Sequence, residues 1–577
     1  MIDLRARPFY LSEESIAWVR DTLASMTAEE KAGQLFCPMG FSADPGLLGR
    51  LIKDIGVGAM MYRPDAAARI QETHRLIQSM AKIPLLLAAN TECGGSGLAW
   101  EGVSFGKPLA AAATGDPENG YRMGYAACAE GAALGMNWSF APIVDIDREF
   151  HNPITNVRTF GDDPDRVIAF ASRYLDGAAE NGVAVSVKHF PGDGVDERDQ
   201  HIVTSVNSLS RKAWRESYGR VYRAMIEKDA LTVMAGHIAL PAFAAPGEEL
   251  LPASLSRSLL TGLLREELGF NGLITTDATP MVGFTAAMPR REAIPRAIAA
   301  GADMILFNKS IDEDYGFLLD GVARGVVSGA RLDEAVTRVL AVKAALGLPE
   351  KQRLGTLVPG PEALSVVGCE KHRAWARQTA EDAITLVKDS QGLLPLSPEK
   401  TPRVYLNVIQ RDTDPESPFV LSWKELFERE GFRVTVRDRR VSVTVRDLGD
   451  VEHMAPEKQA LMHEMYRSVE EMRRDYDLYV YICNMENASN NTTLRLNWNV
   501  TFGLGDDAPW FAAEIPALMI STAYPYHLFD APMMKTYINA YSGEPDFRRA
   551  LMDRLMGRAP FRGQSPVDPF CGKDYLR

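Results

Sequence analysis

The densest cluster of reactive side chains lies in residues 188–201. It opens as Lys188-His189-Phe190-Pro191-Gly192-Asp193-Gly194 and ends in Asp199-Gln200-His201. In an extended loop, residues two apart point to the same side. Asp199 can then hold one imidazole nitrogen of His201, leaving the other to give or take a proton near neutral pH. The same spacing also fits a solvated loop with an incidental histidine. Lys188 has two readings, a substrate-binding cation or a Schiff-base amine. A second cluster ends the run Gly272-Leu273-Ile274-Thr275-Thr276-Asp277. A carboxylate there can attack an electrophilic carbon, or it can cap the helix that follows.

Both clusters follow apolar runs, and such runs read as buried strands. The first is preceded by Val183-Ala184-Val185-Ser186-Val187. Similar runs recur at 34–36, 58–62, 84–90, 137–145, 183–190, 231–238, 272–277 and 304–307. Helical segments separate them, among them 65–80, 165–181, 256–268 and 290–300. Thr27-Ala28-Glu29-Glu30 has the capping-box spacing that opens a helix. Seven or eight strands alternating with helices over roughly 250–300 residues predict an α/β fold, a (β/α)8 TIM-type barrel. The spacing between the third and fourth strands leaves room for extra elements.

In such a barrel the chemistry sits at the carboxyl ends of the strands. Read there, the chain offers Asn90 and Glu92 after the third strand, and Asp145 after the fourth with Arg158 in its loop. It offers Lys188 and His189 after the fifth, His237 after the sixth and Asp277 after the seventh. Hydrogen-bonding groups of both signs suit a hydroxyl-rich substrate such as a sugar. The expected catalytic domain is 1–348. A Pro/Gly-rich linker follows over 349–372, with Leu354-Gly355-Thr356 and Pro359-Gly360-Pro361. A second alternation over 373–577 predicts a smaller α/β sandwich built on a parallel sheet. Its strands are read at 404–409, 432–436, 478–483 and 518–521, with a helix over 457–476.

With 577 residues, two domains are the default. The apolar fraction of 46% and charged fraction of 24% are those of a globular protein. No apolar run approaches the ~20 residues of a membrane helix. Met1-Ile2-Asp3-Leu4-Arg5-Ala6-Arg7 lacks the apolar core of a signal peptide. Six scattered cysteines without a CxxC spacing fit reduced thiols in a cytoplasm. A formal charge of −13 argues against nucleic acid or an anionic membrane as partner. Triplets such as Asn487-Ala488-Ser489 are read as chance rather than as glycosylation sites.

The sequence resembles glycoside hydrolase family 3, in particular its bacterial β-N-acetylglucosaminidase branch. That branch carries a loop of the form K-H-F-P-G-H-G-x-x-x-x-D-x-H. Lys188 to Gly192, Gly194, Asp199 and His201 match it without a gap. Met26–Phe36, Phe140–Asp145, Arg158–Gly161, Leu264–Gly272 and Ala299–Met304 match further segments in the family's order. Ile384–Lys388 with Leu393–Leu396 resembles the entry to the second domain of two-domain members. The likeness covers residues 20–400.

The resemblance implies a retaining exo-hydrolase that removes terminal β-linked N-acetylglucosamine from cell-wall or chitin oligosaccharides through a glycosyl-aspartate. Asp277 would be the nucleophile. His201 would be the acid/base, oriented by Asp199 on a loop that closes over the substrate. Lys188, His189 and Arg158 would bind sugar hydroxyls, with Asn90, Glu92, Asp145 and His237 in support. No cofactor or metal is called for. The second domain keeps two roles open, closure of the active site or a homodimer contact.

The chain departs from the pattern at several positions. Asn90 stands where the family has an aspartate that grips the sugar, Cys93 replaces a glycine, and Asp193 replaces the loop histidine. Thr276 and Ala278 flank Asp277 where Ser and Asp are frequent. Two alternatives follow. One is a β-glucosidase of the same family, which takes its acid from the second domain, with Glu486 of Asn484-Met485-Glu486-Asn487 as fallback. The other is a non-catalytic sugar-binding relative.

Overall fold

In a computed structural model the chain divides into two compact units. Unit 1 comprises Met1–Ala112, Asp116–Ala376 and the short segment Ala488–Thr492. Unit 2 comprises Ala113–Gly115, Arg377–Asn487 and Thr493–Arg577. The structure describes residues 2–486, 489–496, 498, 500, 501, 504, 505 and 507–577. The first two residues of the Asn487-Ala488-Ser489 triplet therefore lie outside the described residues.

Unit 1 is a barrel of eight parallel strand positions. They are β1 (Phe36–Cys37 and Met39–Gly40), β2 (Ala59–Tyr62), β3 (Leu86–Ala89), β4 (Trp138–Ser139), β5 (Ala184–Phe190), β6 (Thr232–Ala235), β7 (Leu273–Ala278) and β8 (Met304–Leu306). Neighbours pair in order around the ring. The first half of β1 pairs with β8 (Phe36↔Ile305) and the second half with β2 (Met39↔Met61). Pro38 separates the halves. It has no N–H for a ladder, so the strand breaks there and its two pieces serve different neighbours.

The helices form the outer layer. Thr27 and Glu30 make both bonds of the expected capping box at the start of Ala28–Gly33. That helix runs to Gly33, so β1 begins at Phe36 rather than at Gln34. Two helices, Pro108–Ala113 and Glu118–Ala133, fill the long interval between β3 and β4. β4 keeps only two residues of the expected run 137–145. Pro142 interrupts the ladder, and the chain rejoins β5 by one bridge, Ile143↔Lys188. All seven residues of β5 are buried. Each large apolar side chain so buried contributes about 1.5–3 kcal/mol. Inside the barrel, the Trp138 indole N–H donates to Thr232 Oγ1 at 2.9 Å, and its ring stands edge-on to Phe140 at 4.7 Å.

Unit 2 carries a six-stranded sheet. Its strands are β9 (Thr385–Asp389), β10 (Arg403–Gln410), β11 (Arg433–Val436), β12 (Leu478–Asn484), β13 (Ala517–Ser521) and β14 (Thr536–Asn539). The spatial order is β9-β14-β13-β12-β10-β11. All neighbours are parallel except β9, which pairs antiparallel with β14 at the edge. The helix expected over 457–476 is two helices, Pro456–Met465 and Val469–Asp475. Ser468 and Glu471 form a capping box that starts the second one anew. Among the described residues no helix is long and apolar enough to cross a membrane.

Candidate active site

The two strands that carry the reactive clusters are both irregular at the same point. Between β5 and β6, Val187 pairs with Val233 and Phe190 with Ala235, so three steps on β5 match two on β6. Between β7 and β8, Thr275 pairs with Met304 and Ala278 with Leu306, again three against two. Each shift is a bulge, and a bulge re-aims side chains that strict alternation would send inward. The extra residues fall at Lys188-His189 and at Thr276-Asp277.

Glu92, Arg158 and Lys188 form one ion cluster. Arg158 grips Glu92 with two N–H groups, Nε to Oε2 at 3.0 Å and a terminal nitrogen to Oε1 at 2.7 Å. Lys188 Nζ lies 2.7 Å from the same Oε1. Burial alone would raise the Glu92 pKa, but the two cations hold it well below the usual carboxylate range. Lys188 is 4% exposed at its side chain and its ammonium is engaged by Glu92, which does not suit a Schiff-base amine. Asn90 is half-buried just beyond β3.

Asp145, His189 and Asp277 form a second line. Asp145 Oδ2 is 2.7 Å from His189 Nδ1, and its Oδ1 accepts the backbone N–H groups of His189 and Asp193. The far nitrogen of His189 stands 3.9 Å from Asp277 Oδ2, an ion-pair distance. Asp277 is 9% exposed, and its Oδ1 accepts the Ala278 N–H at 2.7 Å. Burial alone would raise its pKa. His189, His237, His201 and the Ala278 amide outweigh that and hold the carboxyl below its ordinary value. A carboxylate so held is ionised at neutral pH, as a nucleophile must be.

His237 is fully buried and its ring nitrogens are both occupied. Nε2 lies 3.0 Å from the Ala278 carbonyl and Nδ1 2.8 Å from Ser254 Oγ. A carbonyl only accepts, so Nε2 carries the hydrogen and Nδ1 accepts from Ser254. Burial, the largest effect, lowers the His237 pKa against the pull of Asp277. The residue therefore braces the end of β7 through Ala278.

The Asp199–His201 pair is formed. His201 Nδ1 lies 2.6 Å from Asp199 Oδ1, and the His201 backbone N–H donates to the same oxygen. The other ring nitrogen, Nε2, is 2.9 Å from Ser489 Oγ. Asp199 Oδ2 accepts the backbone N–H groups of Asn490 and Asn491 at 2.7 and 3.3 Å. The loop is stitched to the segment beyond Asp277: Val282 N–H donates to the His201 carbonyl, and Thr204 Oγ1 donates to the Gly283 carbonyl. Ser205–Val206 also pairs with Ile238–Ala239.

Every residue singled out at the barrel mouth thus falls in one of three connected groups, apart from Asn90. Glu486, in unit 2, is exposed. Sequence reasoning missed Ser254, Gln200 and the segment 489–491. Gln200 is fully buried inside an otherwise polar loop, and that single amide was the one available signal. Among the described residues no group of three His, Cys, Asp or Glu is arranged to hold a metal.

A family model for the glycosyl hydrolase family 3 N-terminal domain matches residues 27–342. The chain is 42% identical, over 99% of both chains, to a protein of Cellulomonas fimi named beta-N-acetylglucosaminidase/beta-glucosidase. A solved structure described as the beta-glucoside phosphorylase BglX bound to 2FGlc is 43% identical over 99% of both chains, with a TM-score of 0.89. A family 3 beta-N-acetylglucosaminidase from Paenibacillus sp. str. FPU-7 shares the fold, with 24% identity, a TM-score of 0.76 and coverage of 94% of this chain and 99% of that one.

Proposed function

The chain belongs to glycosyl hydrolase family 3, and from that premise we propose that it cleaves terminal β-linked N-acetylglucosamine and glucose from small glycosides with retention of configuration. The observation that carries this reading is the pairing of an ionised carboxylate, Asp277, with a histidine whose tautomer Asp199 fixes. Asp277 attacks the anomeric carbon. The bond to the leaving oxygen breaks as His201 gives that oxygen its proton. In the second step the acceptor loses a proton to His201, its oxygen bonds to the anomeric carbon, and Asp277 is released.

The ion cluster of Glu92, Arg158 and Lys188 offers donors to sugar hydroxyls, and Asn90 offers a neutral amide where the family has a charge. A neutral amide grips one hydroxyl pattern less tightly than a carboxylate. That supports tolerance of both sugars, the pair named together for the Cellulomonas fimi relative. Six free cysteines support residence in a reducing compartment.

A second reading concerns the acceptor. A histidine that has given up its proton is neutral, whereas a carboxylic acid would be left negative. A neutral base does not repel inorganic phosphate, and the BglX relative is described as a phosphorylase.

The test is to incubate the protein with a 2-deoxy-2-fluoro-β-glycoside that carries a dinitrophenolate leaving group. The reading expects one glycosyl mass on the peptide containing Asp277, and none in Asp277→Asn. Turnover of an aryl glycoside with and without phosphate then separates water from phosphate as acceptor, through free sugar or sugar 1-phosphate. Label on another residue, or full activity in Asp277→Asn, refutes the nucleophile assignment.

A further inference from the structure

We propose that Asp193, acting through Gln200, is a positioning residue that fixes where the Asp199–His201 pair stands. The inference rests on the reading of His201 as acid/base. Asp193 is the position at which this chain leaves its family's loop pattern, and its side chain is buried at 2% exposure. Its Oδ1 accepts the Gly194 N–H at 2.7 Å and the Asn152 side-chain amide at 3.1 Å. Its Oδ2 accepts the Gln200 side-chain amide at 3.0 Å. The other end of that amide, Oε1, accepts the His237 backbone N–H at 2.9 Å.

Gln200 is therefore held at both ends. One end reaches the turn after β5 through Asp193, and the other reaches the end of β6 through His237. Its two chain neighbours are the members of the dyad. Residues 199–203 form a turn, in which the Ile202 and Val203 N–H groups both donate to the Asp199 carbonyl, so anchoring residue 200 fixes the turn that carries 199 and 201. The strut thereby sets the height and direction of the imidazole.

The chemistry at 193 calls for a carboxylate. Both oxygens must accept, because each faces N–H donors. An amide or an imidazole accepts at one end and donates at the other, so neither satisfies both sides. Burial, followed by the Asp145 charge, raises the Asp193 pKa to about 6, against the pull of His189, the Gly194 amide and Asn152. Its two oxygens both accept, Oδ1 from Gly194 and Asn152 and Oδ2 from Gln200.

The arrangement makes a specific exchange testable. In Asp193→Asn alone, an amide N–H₂ faces the donors of either Gln200 or Gly194. In Asp193→Asn combined with Gln200→Glu, the bond between the two positions reverses direction. The amide at 193 donates to the carboxylate at 200, whose second oxygen still accepts from His237, and the total charge is unchanged.

The experiment measures kcat/KM on two β-glycosides of the same sugar, one with a dinitrophenolate and one with a simple alkoxide leaving group. The good leaving group needs little protonation and the poor one needs much. His201→Ala calibrates the split. Asp193→Asn and Gln200→Ala should each lose about 100-fold on the alkyl glycoside, the scale of a displaced catalytic group, and less than about threefold on the aryl one. The paired exchange should return the alkyl rate to within about fivefold of the parent. If His201→Ala treats both substrates alike, the acid assignment itself falls. If His201→Ala separates them but Asp193→Asn and Gln200→Ala do not, the strut falls while the acid stands. A paired exchange no better than Asp193→Asn also overturns the strut. Should Asp193→Asn not be recoverable as folded protein, Gln200→Ala and the paired exchange carry the same comparison.

Discussion

Replacing Glu92 by Gln keeps the shape of the ion cluster and removes its only anion. Arg158 and Lys188 are 20% and 4% exposed at their side chains and both contact Glu92 at 2.7 Å. The change leaves two cations facing each other with little water to screen them. Breaking a buried pair by removing one partner costs about 3–5 kcal/mol. The 20% exposure of Arg158 favours the lower figure, ~3 kcal/mol. With ~2.1 cal/mol/K of unfolding entropy per residue over the roughly 380 residues of unit 1, that is about 4 °C in its melting temperature. Scanning calorimetry at one scan rate reads the shift. Glu92→Gln combined with Lys188→Met removes one cation as well and should recover part of the loss. The wild type should lose the same contribution in acid. The Glu92 carboxyl is held well below its ordinary 4.5, so its contribution is complete above about pH 4.5 and fades as the pH falls through the lower folded value. An unchanged melting temperature in Glu92→Gln would refute the idea that the anion holds the two cations in place.

Three further outcomes follow from the geometry. His189→Leu removes the largest of the influences that hold the Asp277 pKa down, so the acid limb of the kcat/KM profile should move to higher pH, and a shift the other way contradicts the 3.9 Å contact as a source of that depression. Ser489→Ala removes a hydrogen bond that competes for His201 Nε2; at about 1 kcal/mol, alkyl glycosides should turn over up to about fivefold faster, and a loss of rate would make Ser489 a support rather than a competitor. Gly194 has φ of +96°, and an added Cβ would meet the Ile146 carbonyl oxygen at 2.1 Å. Gly194→Ala should therefore destabilise unit 1 by at least ~2 kcal/mol in a thermal melt, and wild-type melting would show that the turn can relax.

The barrel was legible because its strands are apolar runs closed by charged residues, as at β5 and β7. What escaped was set by single residues acting against the pattern. Pro142 cuts β4 to two residues, and Ser468 restarts a helix that periodicity alone runs through. In the site, the residues at the strand ends could be named in advance, since their position follows from the fold. Their pairings could not. Glu92 and Arg158 come from the loops after β3 and β4 and Lys188 from β5 itself, and no local pattern shows that the two cations meet on one carboxylate. The same holds for Asp193, whose role depends on a glutamine seven residues on and a backbone N–H 44 residues on. The edge strand β9 runs antiparallel for a reason that the alternation of elements does not encode.

The segment 488–492 is grouped with the barrel although the chain on both sides of it belongs to unit 2. This has a consequence in time. During synthesis, Asp277 and the loop bearing Asp199 and His201 leave the ribosome roughly two hundred residues before Asn490. At 5–20 residues per second, that interval is about 10–40 s. For that period the nascent chain carries Asp277 while Asp199 Oδ2 lacks the two backbone donors from Asn490 and Asn491. The surroundings of Asp199 are thus completed late, by residues 490 and 491 of a 577-residue chain.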